Sequence, residues 1–296
     1  MAKVKFNKVT VKGTLAEVNT EVKTSSDGRK YIGGKIVVRV VQDGVENLID
    51  MKIFAFEMTK TNTVSKLFTA YTKLEGLLNK RVAVEGEFRE DKMVDQSSGS
   101  IRAFNTISAK FINELRGDEP DCATFEFNGF VVKELYERRN KEDELYGYRI
   151  EVGQSNYNDT MLQVLRFDVD KNDVNIATAI QANYLTGMTV TFYGTLSQIT
   201  RTETKVEETA FGDPVSKTKV YTDRAYRIKS GNQPLDEGDP NAYTMDEINS
   251  FIEAYKKDNE ARIEKAKNGG EEAAPAASTS PAAAAMNRMT RMQSLI

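Results

Sequence analysis

The 296-residue chain has no tryptophan, no histidine and one cysteine, Cys122. A single cysteine excludes an intrachain disulfide and any cage of several thiolates, and it fits a reducing compartment. Without histidine the chain lacks the usual general base and the commonest metal ligand. Neither a Ser–His nor a Cys–His pair can be assembled. No apolar run approaches the length of a membrane span, and the opening MAKVKFNKVT lacks a signal-peptide core. Two near-motifs also fail. Gly28 to Ile36 brushes against a phosphate loop, but its spacing is wrong and Ile36 stands where Ser or Thr must hold the metal. Asp168, Asp170 and Asn172 start like a calcium loop, but Asp173 replaces the required Gly and Ala179 the closing Glu. The expectation is a cytoplasmic protein with no catalytic residues, no metal, no cofactor and no membrane partner.

Apolar residues make up 40% of the chain, enough for substantial cores. Its net charge of −3 is unevenly spread: residues 1–117 carry +6, residues 118–232 carry −5 and residues 233–296 carry −4. The first block alone has the sign that suits a polyanion.

The most informative stretch is KRVAVEGEFREDKMVDQSSG, Lys80 to Gly99. Val82, Val84, Gly86 and Phe88 alternate with polar neighbours, which marks a half-buried strand. Gly86 sits where a barrel strand would bend, and a polar hairpin follows before a second alternating strand, Ile101 to Ile112. Upstream, residues 4–18, 35–41 and 48–57 alternate in the same way, with Asp27-Gly28 and Asp43-Gly44 as hairpin turns. Val64, Leu67, Phe68, Tyr71, Leu74, Leu77 and Leu78 recur at helical spacing behind Thr63 as a cap. Three strands, a helix and two strands form the order of an OB-fold, a five-stranded Greek-key barrel.

The order then repeats. After a linker at 117–124, residues 127–135, 146–154 and 160–170 answer the first three strands, and 173–185 can hold the helix. Residues 188–196 answer Lys80 to Phe88, with Gly194 opposite Gly86, and 220–228 close the set. The fold expected is mainly β: two tandem five-stranded OB-fold barrels over 1–116 and 125–232. The second carries a long protruding hairpin at 198–219, able to wrap a ligand or a neighbouring subunit, so a homo-oligomer stays open. Thr244 to Glu247 is a capping box opening an amphipathic helix to Lys267. Residues 268–285 read as a flexible spacer. The end, MNRMTRMQSLI (286–296), is apolar and basic, a short peptide suited to replication or recombination proteins.

Val82 to Arg89 and Lys92 to Gly99 resemble the bacterial single-stranded DNA-binding protein family, in which a V-x-x-E-G-x-[LF]-R strand leads into a basic hairpin. Val11 to Glu17 and residues 48–56 resemble that family's first and third strands. The resemblance covers roughly residues 5–113, and the duplicated barrel with its long spacer looks like phage-encoded versions. It implies single-stranded DNA as ligand and replication, recombination or repair as setting. Met93 stands where the family has a hairpin Trp, and the tail ends Arg-Met-Gln-Ser-Leu-Ile where the family ends in acidic residues with Pro-Phe.

Single strands are held by cations on phosphates and by aromatic rings stacked on bases. By strand parity Lys52, Phe54 and Phe56 share one non-core face, as do Arg102 and Phe104. Arg39, Arg81, Arg89 and Lys92 frame them, and Tyr148, Arg149 and Phe167 offer similar chemistry in the second repeat. The first barrel is expected to carry most of the affinity. The alternative is a tandem-OB protein–protein scaffold that binds no nucleic acid.

Overall fold

The computed structural model describes residues 3–42, 44–95, 98–156, 160–207 and 215–267, with side chains omitted for 201–207 and 215–221. The tip of the long hairpin, the spacer and the terminal peptide 286–296 lie outside the described residues. So do Ser97 and Asp43, each from an expected turn.

The first half contains β1 (Asn7–Thr24), β2 (Lys30–Gln42), β3 (Val45–Phe56), α1 (Lys66–Tyr71), a 3-10 turn (Leu74–Leu77), β4 (Arg81–Asp95) and β5 (Ser100–Glu114). β1 pairs antiparallel with both β2 and β4, β2 with β3 and β4 with β5. A parallel contact between Lys52 and Ser108 joins β3 to β5 and closes the ring. Alternation decides which side chains fill it: Val9, Val11, Leu15, Ile49, Met51, Ile53, Val82 and Val84 are all buried inside.

The second half contains β6 (Cys122–Arg139), β7 (Leu145–Ser155), β8 (Leu162–Asp170), α2 (Val174–Asn183), β9 (Thr189–Glu207) and β10 (Val215–Gly231). Its pairings follow the same order, including a parallel contact at Arg227 and Asp168. The expected long hairpin is present as backbone pairing of β9 with β10 out to Glu207 and Val215. Last comes α3 (Met245–Lys267). Its capping box forms as expected: Thr244 N–H donates to Glu247 Oε2 at 2.8 Å and Glu247 N–H to Thr244 Oγ1 at 3.3 Å. No described helix is long and apolar enough to cross a membrane.

Gly86 and Gly194 occupy matching places because each faces a neighbouring strand's backbone at close range. A Cβ on Gly86 would stand 2.5 Å from the Ser108 carbonyl oxygen, and one on Gly194 would run into that of Arg227.

The helix expected from Thr63 is shorter and broken. Ser65, not Thr63, caps it, accepting from Phe68 N–H at 3.3 Å. Thr63 instead closes a turn, its carbonyl accepting from Thr59 N–H at 2.8 Å. Tyr71 then dives into the core and donates its hydroxyl to the Ala109 carbonyl at 2.8 Å. That tether favours a six-residue α1 and a tighter 3-10 turn over one continuous helix.

The larger departure is at 117–124, which is no free linker. Arg81 donates to the carbonyls of Gly117 (3.2 Å) and Glu119 (2.5 Å) and to Asp121 Oδ1 (2.7 Å), while Lys12 pairs with Glu119 at 2.5 Å. β6 starts at Cys122 and pairs at once with β1, from Lys12↔Cys122 to Asn7↔Phe127, so one sheet runs through both halves. Behind it Phe88 of β4 is fully buried among rings of the second half. Its centroid lies 5.4 Å from Phe125, 5.4 Å from Phe167 and 5.1 Å from Tyr226. Asn105 bridges the same seam as a mock strand partner, donating to the Arg166 carbonyl at 2.7 Å and accepting from Arg166 N–H at 3.0 Å.

A shared core predicts shared cooperativity. Phe88→Ala should lower stability by about 3–5 kcal/mol, and calorimetry should show one transition for both halves; two resolved transitions would contradict the fused seam. Gly86→Ala should cost about 1–3 kcal/mol in urea unfolding, because the neighbouring strand must move; an unchanged midpoint would show that the close approach is not a constraint.

Candidate nucleic-acid interface

Phe54 and Phe56 project from β3 away from the core, and the structure adds a third ring that the sequence reading missed. β2 pairs with β3 so that Gln42 faces Val45 and, eleven residues back, Tyr31 faces Phe56. The three rings touch: Tyr31–Phe54 at 5.3 Å, Phe54–Phe56 at 5.0 Å and Tyr31–Phe56 at 6.2 Å. Arg29 stacks on the Phe56 ring at 4.3 Å. Phe54 is 53% exposed despite these neighbours, because its cross-strand partner is Gly33, which covers nothing. Counting back from the Asp43-Gly44 turn would have found Tyr31, since a two-residue loop fixes the register.

Cations continue from this cluster across the outer wall. The register at Lys52↔Ser108 puts Phe54 level with Lys110 on β5. Lys52 pairs with Asp91, while Lys110 and Arg89 both pair with Glu87. These three cations stay about half exposed, with side-chain accessibilities of 50%, 47% and 58%. Beyond them the wall opens into a groove of about 910 Å3 between the two halves, which also receives Lys5, Lys92 and Arg262. Four carboxylates, Glu87, Glu90, Asp91 and Asp258, face the same groove, leaving two more cations than anions.

α3 forms one side of this groove. Phe251, Ile252 and Tyr255 pack on a cluster containing Phe130, Leu162 and Val164. The Tyr255 hydroxyl donates to Glu90 Oε1 at 2.6 Å, and Val164 N–H reaches Glu90 Oε2 at 3.2 Å. Burial nevertheless pushes the Glu90 carboxyl above its usual range, against the pull of those bonds and of Lys92 and Arg166. Burial, with help from Glu90, also raises the Tyr255 phenol. Lys92 donates to Asn259 Oδ1 at 2.7 Å, sits 3.2 Å from Asp258 Oδ2 and lies 3.7 Å above the Tyr255 ring. Burial would raise the Asp258 carboxyl, but hydrogen bonds from Arg262 and Lys92 outweigh it and hold the group below the usual range.

The remaining sequence candidates fall elsewhere. Phe104 is 37% exposed, but the β3–β5 register sets it level with Leu48, six residues from Phe54, or roughly 20 Å along the strand. Arg102 pairs with Asp95 at 2.7 Å, and Arg39, though exposed, faces Leu48 at that same distant end of the sheet. Arg81 is committed to the 117–121 segment described above.

In the second half Phe167 cannot meet a base: it is fully buried, 4.7 Å from Phe192 and 5.0 Å from Phe127. Parity misleads there because β8 is covered on both faces; Phe167, Asp168 and Val169 are buried in succession. Arg149 is held by Asp168 at 2.9 Å, which Arg138 also engages at 2.8 Å. Tyr148 is half-buried against the core. Phe167 thus belongs to the core of the second half, and Tyr148 and Arg149 are half-buried beside it.

No curated protein matches the chain. Among solved structures it is similar to the single-stranded DNA-binding protein from Thermus aquaticus. The wild-type structure aligns with a TM-score of 0.49 and 12% identity, over 78% of this chain and 94% of that one. A deletion mutant of the same protein aligns with a TM-score of 0.48 and 13% identity, over 81% and 99%. The family model described as YorF matches residues 5–269. That span takes in both halves and α3 together, and the chain belongs to the YorF family.

Proposed function

We propose that the protein binds single-stranded DNA along the outer wall of its first half, without catalysis, and covers strands exposed during replication, recombination or repair. The observation that carries this reading is the Tyr31–Phe54–Phe56 cluster. Three touching rings stand on the solvent side of a sheet, with Arg29 stacked on one and Lys52 and Lys110 beside them. Stacked bases would gain about 1–3 kcal/mol each on such rings, with little sequence preference.

The neighbouring ion pairs do not block this use. Lys52, Lys110 and Arg89 are each about half exposed, so a phosphate can approach them from solvent while their carboxylate partners stay in place. A chain of net charge −3 thus presents a local cationic track leading away from an aromatic platform.

The decisive measurement is binding of labelled oligo(dT), oligo(U) and duplex DNA at about 50 and about 200 mM salt. Oligo(dT) should bind best, with affinity falling as salt rises. Phe54→Ala should weaken it by about 1–3 kcal/mol, roughly ten-fold, whereas Tyr146→Ala, which removes an exposed ring of the second half, should change it less than about two-fold. No binding of oligo(dT) at low salt would reject the proposal and favour a protein–protein scaffold. A preference for oligo(U) would make RNA the ligand.

A further inference from the structure

Lys92 is a groove cation placed where the nucleic-acid track would need it and yet covered by the protein's own chain. It lies on β4 three residues past Arg89, lines the groove, and has only 8% of its side chain exposed. What covers it is a set of acceptors from α3, Asn259 Oδ1 at 2.7 Å, Asp258 Oδ2 at 3.2 Å and the face of Tyr255, with Glu90 of its own strand 3.9 Å away. A carboxylate and a ring are the same two chemistries that a phosphate and a base would bring.

α3 is unevenly anchored. Up to Tyr255 it is held by apolar burial: Ile248 is buried, and Phe251, Ile252 and Tyr255 pack on Phe130, Leu162 and Val164. After Tyr255 the groove-side contacts include those of Lys92 with Asp258 and Asn259, and Arg262 braces Asp258 from within α3. A helical segment of about a dozen residues has little stability of its own in water, so residues 256–267 lean on those polar contacts and on the half-buried Ile263, while 245–255 are seated in the apolar cluster as well.

We propose that the groove beneath α3 is a second, latched stretch of the strand-binding path: the phosphate backbone of a single strand and the 256–267 half of α3 compete for Lys92. The apolar half of α3 stays seated and acts as the hinge. A short strand then occupies the aromatic platform and outer wall alone; a longer one displaces the latch and gains Lys92. This rests on the nucleic-acid reading above.

The test uses the full-length chain, labelled oligo(dT) and the two salt concentrations. Asp258→Asn combined with Asn259→Ala should tighten binding by roughly three- to ten-fold and steepen the log–log salt slope by about 0.7, one extra phosphate contact. Glu253→Gln, which removes an equal charge from an exposed site on α3, should do neither. Adding Lys92→Ala should erase the gain. In the unmodified protein, hydrogen exchange of amides 256–267 should speed up when oligo(dT) binds, while 245–255 stay unchanged.

A double variant that binds no more tightly than Glu253→Gln, a gain that survives Lys92→Ala, or slower exchange across 256–267 would each overturn the latch. If the unmodified protein binds oligo(dT) and loses affinity with Phe54→Ala while any of these is seen, only the latch fails. If it binds no oligo(dT) at all, both readings fall.

Discussion

Everything about this molecule's surface depends on the burial of Phe88. A five-stranded ring of this size fills its interior with its own side chains and does not need a neighbour. Phe88 instead reaches past the β4 wall into a nest of rings from β6, β8 and β10. Aromatic pairs in edge-to-face contact add to what burial alone provides. Because those rings come from three strands of the other half, neither half can shift without disturbing the core of both. The backbone pairing of β1 with β6 and the side-chain bridge at Asn105 are consistent with that fixed placement.

The seam consumes surface, and what it leaves decides where a ligand can lie. Polar groups near it are turned inward. Asp50 meets Arg224 of β10 at 3.1 Å, and Gln198 donates its N–H to Asn47 at 3.0 Å, so one end of the β3 wall is covered by the base of the long hairpin. The free end of the same wall carries Tyr31, Phe54 and Phe56. From there the exposed path continues over Lys52 and Lys110 into the inter-half groove, bounded by α3. The second half contributes walls and shape to this path more than cations, which agrees with the sign of its charge.

Much of the fold was legible in the residues because alternation is a local signal. The strands, the repeat, the paired glycines 86 and 194, the second helix and the capping box at Thr244 all follow from spacing within a dozen residues. Half of the candidate site was legible for the same reason, since Lys52, Phe54 and Phe56 alternate with a core face that is covered on one side only. The failures have one cause. Strand parity assigns a residue to a face, but it cannot say whether the outward face meets water or another element. For Phe167, Tyr148 and Arg149 it meets other parts of the protein, and for Lys92 it meets α3. Arg81 reads as a free cation until the chain returns to it forty residues later.

The sequence by itself determined the strand order, the barrel-forming alternation, the uneven charge and the absence of imidazole and paired-thiol chemistry, because each depends only on residue type and near-neighbour spacing. Tertiary structure alone decided that the linker is a pinned segment and that α3 lies against Lys92. Those facts rest on contacts between residues 36 to more than 160 positions apart. Such contacts are selected by the packing of the whole chain, and no local run of residues encodes them.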